Sequence, residues 1–423
     1  MIKLLIVNET FTNPITYRRW KLMAEKHGDL ELFLLAPQYE FIKAKANSFG
    51  HDVEIRGQAI DEGNFHILLF NKKIVSDIGW ISPDFKKYII DIKPDVIYNI
   101  GAHNQLSLMQ LIHLRNKYMS TAKMISFSMR GPNYNVSHFK DKCKPFSKYL
   151  KRRLFAYPYA KMTLWYFNKH VDAVFCHYPD AYNCFREEGY KGPIYMQTQV
   201  GVNPELFHED SIARKEIRNK FSIDEDTFVF GSASRFTLIK GLDDILHALP
   251  KEGKWKYLMM GSGMKEDQDR LKNIIKQRGL ENKVILTGFI PQMEIPKYLN
   301  AIDCLLHVPR TTFSWVETFS VALVQGMIVG KPVIGSNSGS VPYQVGEDGI
   351  IVKEGDIDEL NKKIRWVLNH QDEAKVIGTK MQKRAIDCFS IYHLNELFYK
   401  TIVDDVLQNQ YDEKKSDMTK YII

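Results

Sequence analysis

Two cations in one short segment of this 423-residue chain have side chains and a spacing that could bind an anionic group. Arg235 and Lys240 lie five positions apart, directly after an apolar run at residues 227–232. Arginine supplies a planar fork of donors and lysine a compact point charge, so the two side chains can converge on one anionic group. The spacing predicts an anion site in a strand-to-helix loop, with two solvated surface cations as the alternative.

A carboxylate placed just before a helix is the second feature. Glu317 precedes Ser320, which we expect to cap a helix that runs to about Val329 and ends at Gly330. The free amides and the dipole at a helix N-terminus bind phosphate, and a nearby carboxylate accepts hydrogen bonds from sugar hydroxyls. This pattern suits a sugar diphosphate, and the alternative is a capped core helix that binds no ligand.

These residues need a framework of parallel strands to bring their loops together. Short apolar runs alternate with helix-length segments in both halves of the chain, which predicts parallel βαβ units and an α/β fold. We expect two consecutive doubly wound domains, with a boundary near residues 201–210 and ligands at the carboxyl ends of the strands. The expected strands lie at residues 3–7, 30–35, 95–100, 124–127, 171–176 and 194–196, and then at 227–232, 255–260, 284–286, 304–307 and 332–334.

The order of the motifs is more specific than any one of them. G-V-N-x-x-x-F at residues 201–207 is followed by R-x4-K-G, G-S-G, G-F-I, E-x7-Q, G-K-P-V-I and G-x-V-P. This series resembles the retaining glycosyltransferases of family 4, which have the GT-B fold of two Rossmann-like, doubly wound domains facing across a cleft. The resemblance covers residues 201–352 well, extends thinly to 389–390, and is limited to the strand rhythm in the N-terminal half.

The resemblance also implies how the chain is divided. Residues 1–203 correspond to an acceptor-binding domain and residues 204–392 to a nucleotide-sugar-binding domain. Residues 393–423 correspond to C-terminal helices that cross back to the first domain.

Individual site residues follow from the same resemblance. Arg235 and Lys240 match the pair that neutralises the donor diphosphate, and Glu317 matches the glutamate that contacts the donor sugar. The remaining matched positions surround phosphate, sugar and base: Gly261, Ser262, Gly263, Phe289, Ile290, and the amides of Phe319, Ser320 and Val321.

Three positions depart from the family pattern. Gln325 replaces the second glutamate of E-x7-E, which binds the ribose, and so loses the charge assistance of a carboxylate. Tyr343 stands where another acid is usual. Ile100 occupies the position of an active-site histidine, and His103, three residues later, is the candidate substitute, with an ordinary loop histidine as the alternative.

The implied activity is retaining, hexosyltransferase-type transfer from a UDP- or GDP-sugar to a saccharide or lipid-linked acceptor, in cell-surface polysaccharide or glycoconjugate synthesis. We expect no cofactor and no essential metal, since the D-x-D at Asp356 and Asp358 falls where a helix begins and suits a cap. Two alternatives stay open: a GT-B epimerase of nucleotide sugars, and a catalytically degenerate GT-B binding subunit.

One segment accounts for all of the net charge of +8, because the rest of the chain is close to neutral. Residues 130–169 contain ten basic residues and one acid, and aromatic residues interleave with the cations at 139–170. The mixture suits an anionic membrane surface or nucleic acid, and the alternative is an excursion with aromatics inside and lysines outside. We expect peripheral membrane contact and no nucleic acid. The dispersed cysteines and the lack of a signal peptide or a membrane-spanning run predict a cytoplasmic location, on the inner face of the membrane if bound.

Overall fold

The structure is a computed structural model and describes residues 1–42, 53–76, 79–102, 105–128, 157–313 and 315–411. These residues form two compact units. Unit 1 contains the described residues within Met1–Ile42, Glu54–Gln199 and Leu394–Met418, and unit 2 contains mainly those within Val200–His393. His103 and most of the basic aromatic segment at 139–170 lie outside the described residues.

Unit 1 contains an eight-stranded sheet with the order β12-β11-β10-β9-β1-β2-β6-β5. All of its pairings are parallel except that of β5 with β6. Two small sheets, β3 with β4 and β7 with β8, lie outside it. The strands are β1 (Ile2–Val7), β2 (Leu30–Pro37), β3 (Tyr39–Ile42), β4 (Val53–Arg56), β5 (Ile60–Glu62), β6 (Phe65–Phe70), β7 (Lys73–Ser76), β8 (Gly79–Ile81), β9 (Val96–Ile100), β10 (Lys123–Ser128), β11 (Ala173–Cys176) and β12 (Ile194–Met196).

The described helices of unit 1 connect these strands. The first begins where the Asn13 side chain accepts a hydrogen bond from the Ile15 amide and Pro14 occupies the first helical position. These helices are α1 (Pro14–Lys26), α2 (Phe85–Ile92), α3 (Leu106–Tyr118), α4 (Tyr157–His170) and α5 (Pro179–Glu187).

Unit 2 contains a six-stranded, fully parallel sheet with the order β15-β14-β13-β16-β17-β18. Its strands are almost wholly apolar because both faces are covered by helices. The strands are β13 (Phe228–Ala233), β14 (Trp255–Met260), β15 (Val284–Gly288), β16 (Cys304–His307), β17 (Val333–Ser336) and β18 (Ile350–Val352). The helices are α6 (Ser211–Lys220), α7 (Leu242–Ala248), α8 (Lys265–Arg278), α9 (Ile295–Ala301), α10 (Val321–Ile328), α11 (Val341–Val345), α12 (Ile357–Asn369) and α13 (Gln371–Phe389).

Both sheets confirm the α/β architecture expected from the alternating pattern. Every strand expected from the sequence is present, with ends that shift by a few residues. The sequence pattern missed the excursion from β3 to β8, and with it β6, which is a full member of the large sheet. Asp356 caps α12 as expected, because its side chain accepts a hydrogen bond from the Glu359 amide at 2.9 Å.

The C-terminal part of the chain returns to unit 1 through α14 (Ile391–Lys400). Phe398 lies against the rings of Trp20, Tyr98 and Phe175, with centroids 5.2–5.3 Å apart. The buried Arg19 Nε donates to Asn395 Oδ1 at 2.8 Å. These contacts make the returning segment part of the unit 1 core. None of the described helices is long and apolar enough to cross a membrane.

Candidate functional site

The strand order of unit 2 reverses between β13 and β16. The two strands are neighbours in the sheet although β14 and β15 lie between them in the chain. Connections leaving the carboxyl ends of such a pair diverge to opposite sides and open a crevice, which is where ligands bind in open α/β sheets. The loops that begin there carry Arg235 and Lys240 after β13, and Glu317 after β16.

An ion pair joins the two loops across this switch point. Lys240 Nζ lies 2.6 Å from Glu317 Oε2, and the Glu317 residue is only 5% exposed. The Lys240 ammonium also lies 4.7 Å from the ring centroid of Trp315. His307, the last residue of β16, approaches the same carboxylate oxygen with its Nε2 at 3.5 Å. Sequence reasoning predicted Lys240 and Glu317 and missed His307 and Trp315.

The surroundings of Glu317 hold its side chain in the charged form. Burial by itself would raise the pKa of Glu317, but the His307 ring and the Lys240 ammonium outweigh burial and lower the pKa to about 2. The carboxylate is therefore ionised at neutral pH. It is an acceptor fixed in the crevice, and it already has a cationic partner.

Contacts of Arg310 and the close approach of Gly241 fix the separation of the two loops. The Arg310 guanidinium forms an ion pair with the buried Asp244 of α7, and the Arg310 amide donates to the Ile239 carbonyl at 2.9 Å. Gly241 has a φ of +66°, and a Cβ there would lie 1.9 Å from the Val308 carbonyl oxygen. The loop that bears Lys240 can therefore approach β16 only because residue 241 has no side chain.

The N-terminus of α10 lies directly after Glu317, and Ser320 caps it as expected. Ser320 Oγ accepts from the Leu323 amide at 3.3 Å. The Ser320 amide itself donates to Gln344 Oε1 at 2.8 Å, so it is already paired within the chain. The amide of Val321, at the first helical position, has no acceptor within the helix. Phe319, which directly precedes Ser320, packs against Phe389, and the centroids of the two rings lie 5.6 Å apart.

The glycine-containing loops after β14 and β15 lie beside the loop after β13. The Phe236 amide donates to the Ser262 carbonyl at 2.8 Å, and the Gly261 amide donates to the Gly288 carbonyl at 3.1 Å. Phe289 is exposed, whereas the Ile290 side chain is buried. The predicted residues 261–263 and 288–290 are therefore grouped at the carboxyl edge that also carries Arg235.

Two predicted site residues retain unused hydrogen-bonding capacity. Arg235 is half-buried, and its guanidinium has no hydrogen bond or ion pair within the described chain. Gln325 is buried in α10, two turns after Glu317, and the described residues supply no partner for its carboxamide. Both side chains could therefore bind a ligand without first losing a partner. In the part of the chain that the structure describes, no group of three or more His, Cys, Asp or Glu residues could hold a metal ion.

Comparison with protein families matches this unit. Residues 213–384 match the family model described as "Glycosyl transferases group 1". The amylovoran biosynthesis glycosyltransferase AmsK of Erwinia amylovora is 30% identical over 195 residues, which are 44% of this chain and 45% of that protein. A GDP-mannose-dependent alpha-(1-6)-phosphatidylinositol monomannoside mannosyltransferase of Mycobacterium tuberculosis is 26% identical over 187 residues, covering 42% of this chain and 48% of that one. The matched segment thus spans about half the length of these curated relatives.

Solved structures match nearly the whole chain. Sucrose-phosphate synthase from Thermosynechococcus elongatus has a TM-score of 0.69 at 15% identity and covers 96% of this chain and 99% of its own. Anabaena HepE in complex with UDP and glucose has a TM-score of 0.64 at 18% identity, covering 96% and 100%. These neighbours confirm the predicted GT-B fold, and the sequence matches relate residues 213–384 to group 1 glycosyl transferases.

Proposed function

We propose that this chain is a retaining glycosyltransferase that moves a sugar from a UDP- or GDP-sugar to a saccharide or lipid-linked acceptor. The observation that carries the proposal is the Lys240–Glu317 pair at the unit 2 switch point, with Arg235 in the same loop as Lys240. This arrangement supplies cations for a diphosphate and a fixed carboxylate for sugar hydroxyls in one crevice. The acceptor is assigned to unit 1.

Each site residue has a role in this proposal. Arg235 and Lys240 neutralise the diphosphate, Glu317 accepts hydrogen bonds from the donor sugar, and Gln325 bonds the ribose. Departure of the nucleoside diphosphate builds negative charge, which the two cations and the N-terminus of α10 stabilise. The acceptor oxygen bonds to the anomeric carbon as the bond from that carbon to the phosphate breaks, and the leaving phosphate takes the acceptor proton, so the reaction needs no side-chain nucleophile. Because the two cations and the helix N-terminus neutralise the diphosphate, the proposal includes no essential metal.

The biological setting is proposed from the relatives. AmsK is named for amylovoran biosynthesis, and other matched relatives are named for O-antigen biosynthesis in Escherichia coli. HepE was solved with UDP and glucose. We assign this chain to cell-surface polysaccharide or glycoconjugate synthesis, in the cytoplasm at the inner face of the membrane.

The described end of the basic aromatic segment supports membrane contact. On α4, Met162 and Trp165 are 59% and 61% exposed, and Lys169 Nζ lies 5.3 Å from the Trp165 ring centroid. An exposed aromatic beside cations is suited to anionic headgroups. Trp165→Ser should reduce co-sedimentation with vesicles containing phosphatidylglycerol. Ile212→Ser, at an even more exposed apolar residue of unit 2, should not.

Activity is tested with purified protein, a panel of nucleotide sugars and candidate acceptors, with and without EDTA. The proposal expects a product with the anomeric configuration of the donor, formed in EDTA and lost in Arg235→Ala. Transfer that survives Arg235→Ala, or a product of inverted configuration, contradicts it. Conversion of the donor to a stereoisomer without acceptor would indicate the epimerase, and nucleotide-sugar binding without turnover would indicate a degenerate subunit.

A further inference from the structure

One buried polar atom beside Glu317 has no hydrogen-bond partner among the residues that the structure describes. His307 Nε2 is shielded from solvent and lies 3.5 Å from Glu317 Oε2, outside good hydrogen-bond geometry. Buried polar atoms of proteins are nearly always paired, and leaving one unpaired costs about 1–3 kcal/mol. A second state of the site, in which the Glu317 carboxylate lies closer to His307, would pair this ring nitrogen.

Lys240 holds the carboxylate oxygen that His307 approaches. The ammonium binds the same carboxylate oxygen, Oε2, at 2.6 Å, and its other side lies against Trp315. Lys240 is also the cation proposed to bind the donor diphosphate. In the free site, Glu317 is therefore paired with the cation that the ligand needs.

We propose that Glu317 exchanges partners when a diphosphate binds: Lys240 turns to the phosphate, and the carboxylate moves onto His307. For the identity of the ligand this inference rests on the proposed function. His307 is then a positioning residue, because it receives the carboxylate that would otherwise remain buried without a partner. Losing one partner of a buried ion pair is costly, and His307 removes that cost.

The exchange also distinguishes the product from the donor. A nucleoside diphosphate has a terminal phosphate with a second pKa of about 6, so at neutral pH it carries more negative charge than the sugar-linked donor. When the product is bound, Glu317 competes with this extra charge for Lys240, and there is no donor sugar for the carboxylate to contact. The carboxylate should therefore weaken product binding while it favours the intact donor.

A double-mutant cycle between Glu317 and His307 tests the exchange, with the affinity for UDP and GDP measured by calorimetry. Glu317→Gln removes the competitor, and we expect tighter nucleoside diphosphate binding by about tenfold or more, the factor that one charge-assisted hydrogen bond provides. His307→Phe should weaken binding by a similar factor when Glu317 is present and by less than about twofold when Gln replaces it. Glu252→Gln, which removes an exposed carboxylate elsewhere in unit 2, should change nothing.

A conservative variant and a spectroscopic measurement distinguish a positioning role of His307 from a role in packing alone. His307→Gln retains a donor near the position of Nε2 and should preserve the wild-type affinity. In the wild-type protein, imidazole ¹⁵N shifts should record a new hydrogen bond at His307 when UDP binds, and this change should vanish in Glu317→Gln. The inference fails if His307→Phe weakens binding equally in both backgrounds, or if the His307 resonances do not respond to ligand.

Failure of the proposed function has a different signature. If neither nucleotide binds the wild-type protein, inorganic pyrophosphate serves as the probe in the same cycle. Pyrophosphate binding that is strengthened by Glu317→Gln would keep the partner exchange and overturn the nucleotide-sugar assignment. If neither the wild type nor Glu317→Gln binds pyrophosphate, the partner exchange and the nucleotide-sugar assignment are both overturned.

Discussion

The close approach of Gly241 to β16 allows a prediction with a matched control in the same unit. Gly241 and Gly279 have nearly the same backbone conformation, with φ of +66° and +67°. A Cβ at position 279 would have no atom within 4 Å, whereas one at 241 would lie 1.9 Å from the Val308 carbonyl oxygen. Replacing each glycine by alanine therefore separates backbone strain from steric displacement.

The expected magnitudes follow from that difference. A non-glycine residue in the left-handed region costs about 1–2 kcal/mol, and this term is common to both substitutions. At position 241 the carbonyl must also retreat by at least 1.1 Å, since Cβ contacts below 3.0 Å essentially never occur and the starting separation is 1.9 Å. Overpacking of this kind costs about 1–3 kcal/mol more. Gly279→Ala should thus lose about 1–2 kcal/mol of stability, and Gly241→Ala about 2–5 kcal/mol.

The functional consequence should be confined to Gly241→Ala. The displaced Val308 is two residues from Arg310, whose amide bonds Ile239 in the loop that bears Lys240. A misplacement of about 1 Å in a loop that positions substrate can lower the catalytic rate by up to about 10²-fold. Urea unfolding and UDP calorimetry measure the two effects on the same samples. Equal losses of stability in the two variants, or unchanged UDP affinity in a folded Gly241→Ala protein, would refute this reasoning.

Three further predictions concern other contacts. Phe398→Ala should destabilise the protein by about 3–5 kcal/mol in urea unfolding, because the ring is buried among three aromatic neighbours; a loss below about 1 kcal/mol would mean that α14 contributes little to the core. Asp244→Asn should cost about 2 kcal/mol, because it neutralises a buried carboxylate that pairs with the half-exposed Arg310. Asp226→Asn, in a pair that is exposed on both sides, should cost less than about 1 kcal/mol, and equal costs would contradict the anchoring role of Asp244. The folded pKa of Glu317, about 2, lies below its ordinary value of 4.5, so its contribution, on the order of 3 kcal/mol, should be present above pH 4.5 and lost as pH falls towards 2. Unfolding of wild type and Glu317→Gln from pH 7 to pH 3 measures this, and a stability gap that widens on acidification would reverse the predicted sign.

Local sequence determined the elements and their ends where short-range rules apply. Strands β13 to β17 of unit 2 were predicted because a strand buried on both faces must be a continuous apolar run, whereas the three-residue β18 was missed. Ser320 and Asp356 were predicted as caps because a cap bonds an amide only two or three residues away. Strands β3, β4 and β5 were missed because they are short and half-exposed, and such strands lack a clear apolar run. Strand β6 was missed although residues 65–70 form an apolar run of strand length.

The candidate site was predicted only in part for a related reason. Arg235, Lys240 and Glu317 follow from spacing and from the family resemblance, whereas the meeting of Lys240 with Glu317 depends on a strand reversal that brings together residues 77 positions apart. His307 carried only a weak signal, a polar residue at the end of an apolar strand. The pairing of the Ser320 amide with Gln344, 24 residues later, carried none.

The sequence by itself therefore determined which residues supply charge and where the strands and helix caps lie, because these depend on neighbours within about one helical turn. Only the tertiary structure decided that Lys240 and His307 both approach one oxygen of Glu317. That outcome depends on the order of strands in the sheet and on the burial of the carboxylate, and both are properties of the packed chain.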